Sequence, residues 1–250
     1  MVAQSELGLL LRDHYRDAAW IKTTWLGNDW VTLVVVVPLL VISFELAARG
    51  SIRGLLLLAG VFAYAFYSYS YYLLGAALNV FFPLYVCAVL TSAAGLIAFG
   101  ARIDPRAVAA RFRPDAPAHL AGIYFVSVGL ALAVVWLMFW AHHVFLGQPT
   151  PIEPEAFKLV AALDTVLIVP ALVIGGTLLL RRHPWGYVMA CAAGVQASLY
   201  LIVLFTNAFL FVRLGPADWP GELEIWGPLA ASAITVTVWL FSNASQPGEV

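Results

Sequence analysis

The sequence predicts an all-α integral membrane protein, a polytopic bundle of seven transmembrane helices preceded by a short amphipathic interfacial helix. Of its 250 residues, 62% are hydrophobic and 11% are charged, and the mean hydropathy is +0.89. Soluble proteins are about 45–50% apolar and about 25% charged. The net charge of −1 indicates no basic surface for nucleic acid. The two cysteines each lie within an apolar run, which excludes a disulfide scaffold.

Seven apolar stretches are long enough to cross a bilayer, which takes about 20 residues. They cover residues 30–48, 54–75, 80–99, 120–146, 158–180, 186–211 and 225–243. Their valine-rich runs do not indicate strands, because the strands of a membrane barrel alternate polar and apolar residues. We therefore assign residues 29–245 to the transmembrane domain and residues 246–250 to a cytoplasmic tail. The sequence shows no convincing internal repeat.

The distribution of arginines predicts the orientation of the chain. The connections after the first, third and fifth spans carry Arg49 and Arg53, then Arg102, Arg106, Arg111 and Arg113, then Arg181 and Arg182. Cytoplasmic loops of membrane proteins carry an excess of such residues. We therefore expect an outside N-terminus and a cytoplasmic C-terminus.

Residues 1–28 form the predicted amphipathic segment on the outer membrane surface. Apolar residues recur there at helical spacing, namely Leu7, Leu11, Tyr15, Ala18 and Trp25, with charged residues between them. The charged stretch RDHYRD at 12–17 interrupts any apolar core, so the segment is not expected to be a cleavable signal peptide. A cap packed over the mouth of the bundle and a functional lid both fit this pattern.

Asp164 is the most informative polar residue, because it lies inside the fifth span. A charged side chain at the bilayer centre costs about 2.5–3.5 kcal/mol on insertion scales. It is either a carboxylate that binds a cation, takes up a proton or orients a ligand, or an acid hydrogen-bonded to neighbouring helices. Glu45, near the end of the first span, precedes Arg49 by four residues, and an ion pair between the two explains it.

The second span carries a stripe of tyrosines: Tyr64, Tyr67, Tyr69, Tyr71 and Tyr72. Tyr64, Tyr67 and Tyr71 share one helix face. Phenols this deep in a membrane need hydrogen-bond partners, and Asp164, Asn207 and Gln196 are plausible acceptors. The stripe is either the wall of a ligand pocket or a polar seam between helices.

The unusual polar residues collect in the outer half of the predicted bundle. His142 and His143 end the fourth span on that side, and adjacent helical residues point about 100° apart, so the two do not readily chelate one metal. We expect no metal site and no cofactor. The candidate ligand-binding residues are Asp164, Tyr64, Tyr67, Tyr71, Asn207, His142 and His143.

Two segments, YSYSYYLLGAALNVFFPLYV and DTVLIVPALVIGGTLLLRRHPWGYVMA, resemble parts of uncharacterised seven-helix bacterial integral membrane proteins. The resemblance implies a multi-pass location in the bacterial inner (plasma) membrane, and it does not point to any particular activity. Microbial rhodopsins do not fit, because the last span lacks the lysine that carries retinal. Zinc-dependent membrane hydrolases do not fit either, because the last span lacks their paired histidines.

These residues favour a protein that binds a small ligand, ion or lipid in an outward-facing cavity, for sensing or transport. One alternative is a membrane-embedded enzyme that acts on a lipid or isoprenoid with Asp164 as acid. Another is a structural subunit of a larger membrane complex. Membrane lipids are the expected surroundings in each case, and a homo-oligomer fits all three.

Overall fold

The computed structural model describes residues 1–214 and 222–244 and confirms the all-α bundle. Within these ranges, seven helices are long and apolar enough to cross a membrane. They are α2 (Ala19–Ala48), α3 (Ile52–Gly75), α4 (Phe82–Arg102), α6 (Ala118–Leu146), α7 (Pro154–Leu180), α8 (Pro184–Leu214) and α9 (Leu223–Ser242). Two short helices lie outside the spans, α1 (Val2–Leu10) and α5 (Pro105–Ala109). The predicted tail, residues 246–250, lies outside the described residues.

Helices α3 and α8 form the centre of the bundle. More than half of the most apolar stretch of each is buried, against less than a third in each of the other five membrane helices. The two central helices pack against each other where Gly60 of α3 meets Val195 of α8. A Cβ atom on Gly60 would overlap the Val195 side chain and lie 2.9 Å from the Ala192 carbonyl oxygen. The absence of a side chain at Gly60 therefore sets how closely the centre packs.

The first two membrane helices and the fifth and sixth form two hairpins with the same irregularities. We call α2 with α3 the first hairpin and α7 with α8 the second hairpin. The opening helix of each contains a five-residue π turn, Thr32–Val36 in α2 and Asp164–Ile168 in α7. A proline follows two residues after each π turn, Pro38 and Pro170. Both features loosen the regular hydrogen-bond ladder of a helix at that depth.

The turns inside the two hairpins also match. Three residues join the helices in each, and the middle one has a left-handed backbone, with φ of 79° at Gly50 and 51° at Arg182. In each turn this residue donates its N–H to the carbonyl three residues earlier, Ala47 in the first and Leu179 in the second, at 2.9 Å. Such bonds satisfy carbonyls that a helix end leaves free. Arginine replaces glycine in the second turn at the cost of backbone strain.

Equivalent residues of the two hairpins lie 132 positions apart, as the pairs Pro38 and Pro170, and Gly50 and Arg182, show. Glycines follow each turn at the same distance, Gly54 and Gly186, where a Cβ atom would overlap the end of the preceding helix. The chain therefore contains a structural repeat, although none was expected from its sequence. The repeat lies in backbone geometry and in a few prolines and glycines, so side-chain patterns do not reveal it.

The N-terminal segment differs from the predicted amphipathic helix over residues 1–28. Helix α1 ends at Leu10, a short 3-10 turn spans Arg12–His14, and the first membrane helix already begins at Ala19. Helix α1 also packs with its polar side inward, with Gln4 and Ser5 buried. Of the residues expected on the apolar face of a longer helix, Leu7, Leu11 and Ala18 are exposed, whereas Tyr15 and Trp25 are buried.

Replacing Gly60 with leucine is expected to destabilise the bundle, because the new side chain overlaps Val195 across the central contact. Overpacking of this kind typically costs about 1–3 kcal/mol of unfolding free energy. Unfolding of the purified protein in mixed micelles measures the difference.

Gly100→Leu is the matched control, since Gly100 lies on α4 with no atom within 4 Å of its would-be Cβ. We expect it to unfold like the wild type. Equal stability of all three proteins would contradict the close central packing.

Candidate functional site

A cavity of about 180 Å³ lies at the end of the bundle where α2 and α7 begin and where α3 and α8 end. This is the end that the arginine distribution assigns to the outer side of the membrane. Both hairpins and the start of α9 supply its walls. The described residues that line it are Trp20, Thr24, Asn28, Tyr67, Ser68, Tyr71, Ile152, Val160, Tyr200, Val203, Leu204, Asn207, Ala208, Phe211, Glu222 and Trp226.

The cavity lies between equivalent positions of the two hairpins. Asn28 of the first and Val160 of the second both line it, and so do Ser68 and Tyr200, each pair 132 residues apart. Tyr67 and Tyr200, from opposite hairpins, contact each other edge to face with ring centroids 4.9 Å apart. The repeat therefore shapes the cavity, but the side chains it contributes differ between the two sides.

The chemistry of the lining is aromatic with a few polar groups. Six of the lining side chains are aromatic, and four are uncharged polar groups. Glu222 is the one charged residue among the described residues of the wall, and its Oε2 accepts a 2.6 Å hydrogen bond from Trp226 Nε1. Rings with a small number of polar groups are typical of small-molecule sites, which are mostly apolar and use polar groups for orientation.

Asp164 lies behind the cavity wall, in the first turn of the π segment of α7. Its side chain is buried, Oδ1 accepts a 2.6 Å hydrogen bond from the Tyr67 hydroxyl, and Oδ2 accepts a 2.9 Å bond from Trp136 Nε1. The expectation that a deep tyrosine of the second span bonds to Asp164 is confirmed. Asp164 is connected to the cavity through Tyr67.

Asn207 is a buried residue of α8 whose amide side chain belongs to the cavity wall. Its Nδ2 donates to Asn28 Oδ1 at 3.2 Å, which ties α8 to α2. Its Oδ1 is buried against Gly27 of α2, where a Cβ atom would overlap it, and it has no hydrogen-bond partner in the described part of the chain. An unpaired buried carbonyl oxygen costs about 1–3 kcal/mol, so this close packing of α8 on α2 carries an energetic penalty.

A second buried carboxylate, Asp29, lies beside the cavity in α2 and has no exposed surface. Three side chains donate to it: Tyr15 at 2.7 Å, Tyr72 at 2.9 Å and Gln4 at 3.1 Å. Gln4 Oε1 in turn accepts a 2.9 Å bond from the Tyr69 hydroxyl. The N-terminal segment is therefore fastened to the bundle by this carboxylate.

Within residues 1–214 and 222–244, neither buried carboxylate is paired with a cation. The ion pairs among the described residues are Arg49–Glu45 at 3.4 Å, Arg113–Asp115 at 3.5 Å and Lys158–Glu155 at 3.6 Å, and all of them are exposed. The first confirms the expected pair four residues apart. Asp29 and Asp164 are held by hydroxyl, amide and indole donors, which can satisfy a carboxyl group without a buried counter-charge.

The structure brings part of the predicted site together. Tyr67, Tyr71 and Asn207 line the cavity. Tyr64 instead packs in an apolar cluster with Val31 and Val36 of α2. His142 and His143 are exposed at the end of α6, where His143 Nδ1 lies 2.8 Å from the Gln148 carbonyl oxygen, and neither lines the cavity. No group of three potential metal ligands occurs in the ranges that the structure covers.

Sequence reasoning missed the contribution of α2. Asn28 and Asp29 fall outside the predicted first span, which was placed at 30–48, whereas α2 begins eleven residues earlier. The signal was present as two polar residues directly before a long apolar run. Tyr200 and Trp226 were missed because an isolated aromatic residue in a membrane span is not unusual.

The Tyr15 hydroxyl is held in its neutral form. Burial, with the Asp29 carboxyl beside it, raises the pKa of Tyr15 well above its ordinary value of 10.0. A raised folded-state pKa stabilises the fold below the unfolded pKa, and this stabilisation is lost as the pH rises above it. Tyr15 therefore stabilises the packed N-terminal segment at neutral pH and weakens it in alkali.

Replacing Tyr15 with phenylalanine is expected to cost about 1 kcal/mol at neutral pH, the typical value of one buried hydrogen bond. The wild type should lose more unfolding free energy than the variant as the pH rises past about 10, where unfolded tyrosine ionises. Unfolding of both proteins, measured at neutral and at alkaline pH, gives the stability difference at neutral pH and the loss of stability of each protein in alkali.

Tyr124→Phe, which removes a 2.9 Å hydrogen bond to Ser232 far from Asp29, is the control for losing a phenol hydroxyl as such. If Tyr15→Phe were as stable as the wild type at neutral pH, the hydrogen bond to Asp29 would not stabilise the segment, and equal losses of stability in alkali would contradict the raised pKa of Tyr15.

A scan against protein-family models gave no match to the chain, and neither did searches of the curated proteins and of the solved structures.

Proposed function

We propose that the protein binds a small organic molecule in the aromatic cavity and transports it across the membrane. The observation that carries the proposal is the position of the cavity between the two hairpins, with equivalent residues of both in its wall. Transporters built from structural repeats place the substrate at the interface between the repeats and rock one repeat against the other. The same arrangement supplies both a site and a means of opening it.

The π turns and prolines support movement at the required depth. Each hairpin has its irregular segment in the opening helix, directly below the cavity, at Thr32–Val36 and Asp164–Ile168. Kinks in membrane helices concentrate at such positions, where the hydrogen-bond ladder is already interrupted. Bending there would separate the cytoplasmic halves of the hairpins without unfolding either one.

The other functions considered from the sequence have less support. In a membrane-embedded enzyme with Asp164 as acid, the carboxyl group must reach the substrate, but its two oxygens are bonded to Tyr67 and Trp136. A purely structural subunit of a larger complex needs no cavity. Sensing uses the same binding site but does not call for a repeated pair of bending helices.

Cysteine accessibility tests the proposal in a background of Cys87→Ser and Cys191→Ala, which removes both native thiols. Ala208→Cys places a thiol in the cavity wall, and Val195→Cys places one between the hairpins. We expect methyl methanethiosulfonate to modify the first rapidly and the second slowly, through transient separation of the hairpins. Thiol modification rates depend on such access.

Ala190→Cys is the matched control, because Ala190 is buried on α8 against the backbone of Gly175 within the second hairpin. It should react on the order of tenfold or more slower than Val195→Cys, since access limits the rate. An unreactive Ala208→Cys would refute an accessible site. Equal protection of Val195→Cys and Ala190→Cys would refute the movement and leave binding alone.

A further inference from the structure

We propose that the occupant of the cavity is a small organic cation of the alkylammonium class, with a head group of the size of choline. This inference rests on the proposed binding function and adds the chemical class of the ligand. It is carried by three properties of the described wall: its aromatic rings, the negative charge of Glu222 and the size of the cavity.

The rings provide the main attraction. Trp20, Tyr67, Tyr71, Tyr200, Phe211 and Trp226 all line a cavity of about 180 Å³. The face of an aromatic ring carries negative electrostatic potential, and several rings together bind quaternary ammonium groups in aromatic cages. Cation–π attraction is strongest where water is excluded, and two of these rings, Tyr67 and Phe211, are buried.

Two carboxyl groups strengthen the preference for positive charge. Glu222 lines the cavity and is held in place by the Trp226 indole. Asp164 Oδ1 accepts a 2.6 Å hydrogen bond from the Tyr67 hydroxyl group. This bond polarises the phenol and makes its ring more electron-rich. No lysine, arginine or histidine is among the described residues of the wall. The charged residue among the described residues of the wall, Glu222, would therefore repel an anionic ligand.

The polar groups of the wall suit the remainder of such a ligand. Thr24 and Ser68 line the cavity, and their hydroxyl groups can bond to a hydroxyl group of the ligand. The volume of about 180 Å³ is close to that of an engineered cavity of about 150 Å³ that accepts benzene. A trimethylammonium group with a short tail has comparable size.

Competition for the cavity tests the class of ligand. The probes are choline and 3,3-dimethylbutan-1-ol, called dimethylbutanol below, which is the uncharged isostere of choline with carbon in place of nitrogen. The readout is the probe concentration that halves the rate at which methyl methanethiosulfonate modifies Ala208→Cys in the cysteine-free background. We expect choline to protect at a concentration on the order of tenfold lower than dimethylbutanol, as a desolvated cation–π cage predicts.

Glu222→Gln isolates the contribution of the charge, because glutamine keeps an oxygen that can accept the Trp226 hydrogen bond. It should weaken protection by choline about threefold, which leaves the larger contribution of the rings, and it should not change protection by dimethylbutanol. Glu155→Gln is the matched control, since Glu155 lies on α7 near the same end of the bundle, is exposed and does not line the cavity. It should change neither value.

The outcomes separate this inference from the proposed function. If dimethylbutanol protects as well as choline, the cavity binds molecules of this size and the preference for cations is wrong. If neither probe protects an otherwise reactive Ala208→Cys, the alkylammonium class is wrong, although the accessible cavity remains. If Ala208→Cys itself is unreactive, the proposed binding function fails, and the inference fails with it.

Discussion

The fold depends on one constraint, that a polar group within the hydrocarbon must find its partner inside the protein. Asp29 and Asp164 belong to different hairpins, and both are buried. Each accepts a hydrogen bond from a tyrosine of the same central helix, Tyr72 for Asp29 and Tyr67 for Asp164. Helix α3 thus supplies donors in two directions at once, which explains why so many tyrosines occur on one membrane span and why that span lies at the centre.

Hydropathy predicted the number of membrane helices because it measures the property that makes a helix span a bilayer. It misplaced the start of α2 and the packing of α1 for the same reason. In water an amphipathic helix turns its apolar side inward, but α1 packs against a bundle that already exposes apolar surface. What the buried Asp29 lacks there is a hydrogen-bond donor. Gln4 therefore points inward and donates to Asp29, and the leucines remain outside. A pattern that counts only hydrophobicity cannot distinguish these two environments.

The candidate site was predictable only where chemistry restricts the choice of partner. A deep phenol needs an acceptor, and few are available in a chain this apolar, so the bond from Tyr67 to Asp164 follows. Nothing comparable restricts the rotation of a helix, which decides that Tyr71 lines the cavity while Tyr64 packs against valines. The repeat was invisible for a related reason. The features that the two hairpins share are π turns and backbone angles, while the equivalent side chains Ser68 and Tyr200 have different chemistry.

The depth of the cavity has an electrical consequence. Tyr200 lies near the middle of the 31-residue helix α8, and Phe211 lies near its C-terminal end. The cavity therefore extends from the end of this helix to about half of its length. A full membrane potential of 100 mV corresponds to about 2.3 kcal/mol for each elementary charge that crosses it. With the cell interior negative and the cavity facing outward, part of that energy would draw a cation towards Tyr200 and push an anion out. The resting potential of the cell would then help to select what the cavity holds.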